Sequence, residues 1–140
     1  MLGLNGWPSE AKPKPFSQEL VKRAEAGDSF AQWSLGRCYY KGIGVTQDYK
    51  EAVKWYTKAA EQGYALAQSN LGVCYEEGTG VDKDEKEAVK WYTKSALQGD
   101  PKAQSNLGEC YEEGTGVDKD EKEAVKWYTK SALQGDPKAQ

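Results

Sequence analysis

One short pattern near the start of the chain contains residues that could do chemistry. Ser9 and Lys12 have the Ser-x-x-Lys spacing with which some enzymes activate a serine nucleophile. The pattern lies between Pro8 and Pro13, in a stretch whose composition favours an extended strand over a helix. The companion motifs of such enzymes are missing from the sequence. The pattern therefore predicts no catalytic site.

A second pattern is a run of carboxylates in the middle of the chain, at Asp82, Asp84, Glu85 and Glu87. The run resembles part of a calcium-binding loop, but the turn glycine and the later bidentate glutamate of such a loop are misplaced. Asp84 and Glu87 instead have the spacing of a helix capping box. Helix capping is therefore the preferred interpretation, and no metal site is predicted.

The sequence lacks the usual partners of catalytic nucleophiles. It contains no histidine, which excludes the commonest general base, the commonest zinc ligand and any Cys-His or Ser-His pair. Cys38, Cys74 and Cys110 are spaced by 36 residues and so occupy one place in a repeated unit. Stacked helical units lie about 8–10 Å apart, beyond disulfide reach. We expect buried free thiols, no cofactor and no enzymatic activity.

Composition restricts the partners. The net charge of −3 leaves no excess of basic groups to neutralise a phosphate backbone, so nucleic acid is not an expected partner. No apolar run approaches membrane-spanning length, and the first residues do not resemble a secretion signal. We expect a soluble chain with no membrane partner, in a compartment that the sequence does not identify.

Self-similarity is the strongest signal in the sequence. Trp55, Trp91 and Trp127 recur every 36 residues, and a leader of 32 residues precedes three units of this length. Residues 69–104 and 105–140 differ only at Val73 and Glu109. Such near identity indicates either a recent duplication or a consensus sequence written by design.

Each unit is predicted to form two antiparallel helices, an earlier helix A and a later helix B. In the second unit, helix A spans about 65–77 and ends at Gly78, where a turn needs positive φ. Helix B begins at its N-cap Asp84, with Glu87 expected to reach back to the cap. One face of helix B is apolar, and Lys86, Lys90 and Lys94 lie opposite. On helix A, Gly72 is expected to let a neighbouring helix approach closely.

The motif A-Q-x-x-L-G-x-C-Y-x-x-G-x-G-V, followed by D-x-K-E-A-x-K-W-Y-x-K and Q-G, closely resembles the Sel-one-like repeat, a relative of the tetratricopeptide repeat. The resemblance covers residues 27–140. It implies an all-α, right-handed superhelical solenoid of antiparallel helix pairs, with the A helices lining a concave groove and the B helices outside. It also implies a scaffold or adaptor role. The intra-repeat disulfide of cysteine-rich relatives does not transfer, because each unit here has one cysteine.

One arc of helix A, which includes Gly72, is small and apolar and is expected to pack. The other arc is predicted to line the groove and to bind a peptide or protein partner. In the first unit it is aromatic and basic, with Phe30, Trp33, Arg37, Tyr40 and Lys41. In the second unit it contains Leu66, Ser69, Asn70, Val73, Glu76 and Glu77. In the third unit it is acidic, with Lys102, Ser105, Asn106, Glu109, Glu112 and Glu113. Such a groove favours an extended peptide of complementary polarity. The resemblance further implies that Asn70 and Asn106 hydrogen-bond the peptide backbone.

Other interpretations remain open. Trp33 and Tyr40 could pack against the leader, and Asn70 and Asn106 could have no ligand. The chain could also be a structural module without a natural ligand, for example a designed one, that stacks end to end through an incompletely covered end at Trp127 and Tyr128. The predicted division is an extended leader (1–15), a capping helix (16–27) in which Phe16 and Leu20 cover the first repeat, three repeats (28–63, 64–99 and 100–135) and the start of a truncated fourth (136–140).

Overall fold

The computed structural model describes residues 16–135, and this part of the chain is all α-helical. Its helices are α1 (Gln18–Glu25), α2 (Ser29–Lys41), α3 (Tyr49–Glu61), α4 (Ala65–Glu77), α5 (Glu85–Leu97), α6 (Pro101–Glu113) and α7 (Glu121–Leu133). The A helices α2, α4 and α6 pack against the B helices α3, α5 and α7, and successive pairs stack into a right-handed superhelical solenoid. The predicted leader, the Ser9 and Lys12 pattern and the predicted fourth repeat lie outside the described residues.

The B helices begin at aspartate caps, as predicted, but only half of the expected capping box forms. The Asp84 carboxylate accepts a hydrogen bond from the Glu87 amide at 3.0 Å. The predicted return bond from Glu87 is wrong, because the Asp84 amide already donates to the carbonyl of Tyr75 at 2.8 Å. With no amide left to accept from, the Glu87 carboxylate pairs with Lys90 at 2.8 Å. Asp48 and Asp120 repeat the cap and the amide bond.

The turn between helices A and B requires glycine. Gly78 ends α4 with φ of 70°, in the left-handed region, and its amide donates to the carbonyl of Cys74. Glycine reaches this conformation without the steric cost that a Cβ would add. Gly42 and Gly114 end α2 and α6 in the same way, so each helix pair reverses direction at the same point of the repeat.

Close packing within each pair depends on a glycine facing a tyrosine. A Cβ at Gly72 would lie 2.6 Å from the Tyr92 ring, and the Tyr92 side chain has no exposed surface. Gly36 meets Tyr56 and Gly108 meets Tyr128 in the same way. The missing Cβ therefore lets helix B press its tyrosine against the backbone of helix A, which confirms the predicted close approach.

The three cysteines are buried and form no disulfide within residues 16–135, as predicted. Cys74 packs among Leu71, Ala67 and Trp91 in the core between the first and second helix pairs. Burial raises the pKa of the Cys74 and Cys110 thiols to about 12. At neutral pH both are therefore protonated and act as small apolar side chains.

Helix α1 covers the first repeat. Leu20 is 4% exposed and packs with Leu35 and Trp55. Phe16 makes an edge-to-face contact with Tyr39, with ring centroids 6.0 Å apart. The predicted roles of Phe16 and Leu20 are confirmed.

Each B-helix tryptophan is buried with two lysines above its ring. Trp91 is 6% exposed, and the Nζ atoms of Lys90 and Lys94 lie 5.0 and 4.9 Å from its ring centroid. Trp127 is 4% exposed and carries Lys126 and Lys130 in the same positions. The prediction of incomplete coverage is wrong for Trp127, because its own repeat and these lysine stems cover it. It holds for Tyr128, which is half-buried. Among residues 16–135, no helix combines the length and apolar character needed to cross a membrane.

Candidate functional site

The predicted binding residues lie on the A helices and form what we call the A-helix surface. Its members are exposed or half-buried in the structure. They are Phe30, Trp33, Arg37, Tyr40 and Lys41 on α2; Leu66, Asn70, Val73, Glu76 and Glu77 on α4; and Lys102, Asn106, Glu109, Glu112 and Glu113 on α6.

Two of the predicted surface residues are placed differently by the structure. Ser69 is 7% exposed and Ser105 has no exposed surface, so neither can line a groove. Both stand at the repeat position of Trp33, whose long side chain reaches the next repeat. A serine hydroxyl lies one bond from Cβ and cannot extend past the neighbouring helices, so the position is covered where serine occupies it.

An aromatic cluster forms the first end of the surface. The rings of Phe30 and Trp33 have centroids 5.8 Å apart, and both contact Tyr64, at 6.4 and 6.0 Å. The Arg37 guanidinium lies 5.9 Å from the centroid of the Trp33 ring. These rings are half-buried, while Arg37 and the neighbouring Leu66 are exposed. The arrangement combines apolar contact area with an accessible positive charge.

Sequence reasoning missed Tyr64, although the repeat contained a signal. Equivalent positions carry Asp28 and Asp100, which cap α2 and α6 through their side chains. Tyr64 occupies the N-cap of α4 and makes no such bond. The departure from the repeat therefore exchanges a helix cap for a ring on the A-helix surface.

A hydrogen bond between repeats orients Asn70. The Trp33 indole N–H donates to Asn70 Oδ1 at 2.8 Å. Because an indole nitrogen only donates, the amide orientation is fixed, with the Asn70 NH₂ group facing away from Trp33. This link joins α2 to α4 across the surface and leaves the amide donor for another acceptor.

A tyrosine of helix B organises the opposite edge of the surface. In the second and third repeats, Tyr92 donates to Glu76 at 2.6 Å and Tyr128 to Glu112 at 2.9 Å. Burial, followed by the bond to the carboxylate, raises the pKa of each phenol. In the first repeat the glutamate is replaced by Tyr40, whose ring packs on Tyr49 and Tyr56 with centroids 5.1 and 6.3 Å away. The edge thus changes from aromatic to acidic along the array.

An open hollow of about 530 Å³ lies between α4 and α6. Its wall brings together predicted residues of the second and third repeats, namely Val73, Glu76, Glu77, Asn106, Glu109 and Glu113. It also includes Lys83, Glu85, Tyr92 and Thr115, which the sequence did not single out. Five carboxylates face one ammonium group, so the hollow favours a positively charged group. Within residues 16–135 no group of three or more His, Cys, Asp or Glu side chains is arranged to hold a metal ion.

The sequence pattern that defines the Sel1 repeat matches this chain three times, at residues 29–64, 65–100 and 101–136. The chain belongs to the Sel1 repeat family. Sel1 repeat proteins form a class of helical scaffolds that generally mediate protein–protein interactions.

Solved structures agree with the assignment to the Sel1 repeat family. A Sel1 repeat protein from Oxalobacter formigenes is 45% identical, with a TM-score of 0.79 and coverage of 86% of this chain and 91% of that one. A protective antigen of uropathogenic Escherichia coli is 47% identical over 84% of this chain, with a TM-score of 0.82. Cysteine-rich protein B of Helicobacter pylori is 30% identical over 87% of each chain, with a TM-score of 0.68.

Some Sel1 relatives are much longer. This chain spans 25% of the length of the Escherichia coli antigen. It is 49% identical over 35 residues to a putative Sel1-like repeat protein of Acanthamoeba polyphaga mimivirus, of which it covers 6%.

Proposed function

We propose that this Sel1 repeat chain binds an extended peptide or protein segment along the A-helix surface. The cluster of Phe30, Trp33 and Tyr64 with Arg37 carries the proposal. Tryptophan, tyrosine and arginine are the residue types that contribute most to binding energy at protein interfaces. Here they are packed against each other and still partly exposed, so they need little reordering on binding.

The amide of Asn70 supports a peptide as the ligand. The Trp33 indole holds its Oδ1, so its NH₂ group faces away from the Trp33 ring. A backbone carbonyl of an extended peptide is a suitable acceptor for such a donor. In this role Asn70 would fix the register of the peptide while the rings supply apolar contact.

Differences between the repeats also favour this surface. The exposed or half-buried A-helix positions of Arg37 and Tyr40 change from one repeat to another, whereas the buried Leu71 and Gly72 positions do not. Packing positions are restricted by close contacts, and surface positions are free to adapt to a ligand. We propose binding without catalysis, because the buried Cys74 and Cys110 thiols, with pKa values raised to about 12, are poor nucleophiles at neutral pH.

Selection of peptides from a random phage-displayed library on the purified chain would test the proposal. Selected peptides should lose affinity by about tenfold or more when Trp33→Ser removes the central ring, because large aromatic anchors dominate such interfaces. Serine already occupies the equivalent positions 69 and 105, so the helix should tolerate the change. Fluorescence anisotropy would measure Kd, and circular dichroism would verify the helical content.

The matched control is Lys86→Ser on the exposed side of α5, which should leave Kd unchanged. Selected peptides that bind wild type and Trp33→Ser equally well would contradict the proposal. A library from which no peptide is selected at micromolar affinity would contradict it as well.

End-to-end assembly is a second candidate, favoured by one observation. Val125 is 62% exposed, whereas Val89, at the same repeat position, is 8% exposed because the following repeat covers it. Leu133 is also exposed, but so is its equivalent Leu97 in the second repeat, so the exposure of leucine at this position does not favour assembly. Light scattering over a concentration series distinguishes the candidates. A mass that grows with concentration, and stays constant for Val125→Glu, would support assembly.

A further inference from the structure

The A-helix surface carries opposite charges at its two ends. Arg37, Val73 and Glu109 occupy the same repeat position on α2, α4 and α6. The row therefore runs from a cation through an apolar residue to an anion. Because Arg37 and Glu109 occupy equivalent positions of the repeat, the two ends of the surface have the same backbone geometry and differ in charge.

The cationic end can recognise a carboxylate beside an apolar group. Arg37 is exposed and stacked over Trp33, and it forms no ion pair with a carboxylate of residues 16–135. Lys41, one turn later, is exposed as well. A planar guanidinium held against a ring is suited to bind a carboxylate through two parallel hydrogen bonds. The rings of Phe30 and Tyr64 lie within reach of a neighbouring apolar side chain.

The anionic end can receive a basic side chain. Glu109 lines the hollow of about 530 Å³ together with Glu76, Glu77 and Glu113. The bond from Tyr92 holds the Glu76 carboxylate in place, so part of this negative charge is already oriented. An ammonium or guanidinium group that enters the hollow would meet carboxylates from two helices at once.

We infer that the ligand is an extended segment in which a carboxylate, next to an apolar side chain, and a basic side chain lie at least about six residues apart. Helices α2, α4 and α6 pack mainly against the B helices between them, so the two steps from Arg37 to Glu109 are each no shorter than the distance of about 8–10 Å between packed helices. An extended chain advances about 3.3 Å per residue, and the two steps therefore correspond to at least about six residues. This inference rests on the proposed function, since it specifies the chemistry of a ligand of the same surface.

A charge exchange on the protein tests the inference. The double variant Arg37→Glu/Glu109→Arg reverses the gradient and keeps the net charge. Both residue types already occupy this helical position, so the fold should be retained. Pairs of fluorescent peptides of identical composition serve as ligands, with Leu-Glu and lysine about six to nine residues apart. One peptide of each pair has Leu-Glu first, and the other has the reverse order. Wild type should prefer one order by about tenfold, and the exchanged variant should prefer the other.

Controls separate charge recognition from other effects. The variant Arg37→Val/Glu109→Val places the residue of the second repeat at both ends and should bind both peptides equally. Added salt should reduce the preference of wild type, because exposed ion pairs are screened. A wild type without preference, or an exchanged variant with the same preference as wild type, would overturn the inference. If the charge test fails but library-selected peptides still depend on Trp33, the proposed function is retained without this inference. If no library peptide binds, both proposals fail.

Discussion

At the residue scale, two buried serines differ in whether the side-chain hydroxyl is hydrogen-bonded, and stability measurements can detect this difference. Ser95 and Ser105 both have no exposed surface and lie inside helices. The Ser95 hydroxyl donates to the carbonyl of Ala65 at 2.8 Å, whereas the Ser105 hydroxyl has no hydrogen-bond partner among the described residues. A buried hydroxyl without a partner loses its bonds to water and gains none.

Replacing these serines should therefore have opposite effects. Ser105→Ala should raise the free energy of unfolding by about 1 kcal/mol, and Ser95→Ala should lower it by about 1 kcal/mol. The gain in helix propensity from alanine is common to both and cancels in the comparison. Urea unfolding followed by circular dichroism gives both values. Equal destabilisation by the two changes would contradict the account of Ser105.

At the element scale, contact between a glycine of helix A and a tyrosine of helix B sets the distance between the two helices of a repeat. A Cβ at Gly72 or Gly108 would lie 2.6 or 2.9 Å from a tyrosine ring. Tyr92 is completely buried and cannot move aside, whereas Tyr128 is only half-buried. The same substitution therefore meets a rigid partner in one repeat and a movable one in the next.

We expect Gly72→Ala to lower the free energy of unfolding by about 1–3 kcal/mol, the usual cost of overpacking. Gly108→Ala should cost clearly less, and the intrinsic preference of helices for alanine applies equally to both. Thermal and urea unfolding of the two variants would provide the comparison. A loss for Gly108→Ala as large as that for Gly72→Ala would show that the tyrosine contact does not set the spacing.

The helices were predictable because each repeat contains the residues that begin and end them. Asp84 and Gly78 determine where helices start and stop through bonds within a few residues, and the structure has α4 at the predicted residues. The side-chain errors came from neighbours that a single helix does not show. Glu87 lost its expected acceptor role because Tyr75 had already bound the cap amide, and Ser69 is covered by packing between helices.

The surface was less predictable than the fold, for a physical reason. Helical periodicity placed Trp33 and Asn70 on the groove-facing arcs of two successive A helices. Only the structure shows the hydrogen bond that joins their repeats. Tyr64 entered the cluster through a position that normally caps a helix. Contacts between successive repeats depend on the stacking angle of the solenoid, and helical periodicity within one repeat does not contain that angle.

At the scale of the whole molecule, the solenoid presents two different surfaces. The A-helix surface has partly exposed rings and a change of charge from α2 to α6. The B helices bury Trp55, Trp91 and Trp127 under lysine stems. Because repeats contact mainly their neighbours, a ligand that follows the array can touch several repeats while the core stays unchanged.

The indole N–H resonances of the tryptophans offer the most direct test of the central claim that ligands bind the A-helix surface. Trp33 lies on this surface, and Trp55, Trp91 and Trp127 are buried on the other helices. Titration of isotope-labelled protein with a library-selected peptide should shift the Trp33 resonance and leave those of the three B-helix tryptophans in place. Shifts at the B-helix tryptophans with an unmoved Trp33 resonance would contradict the account.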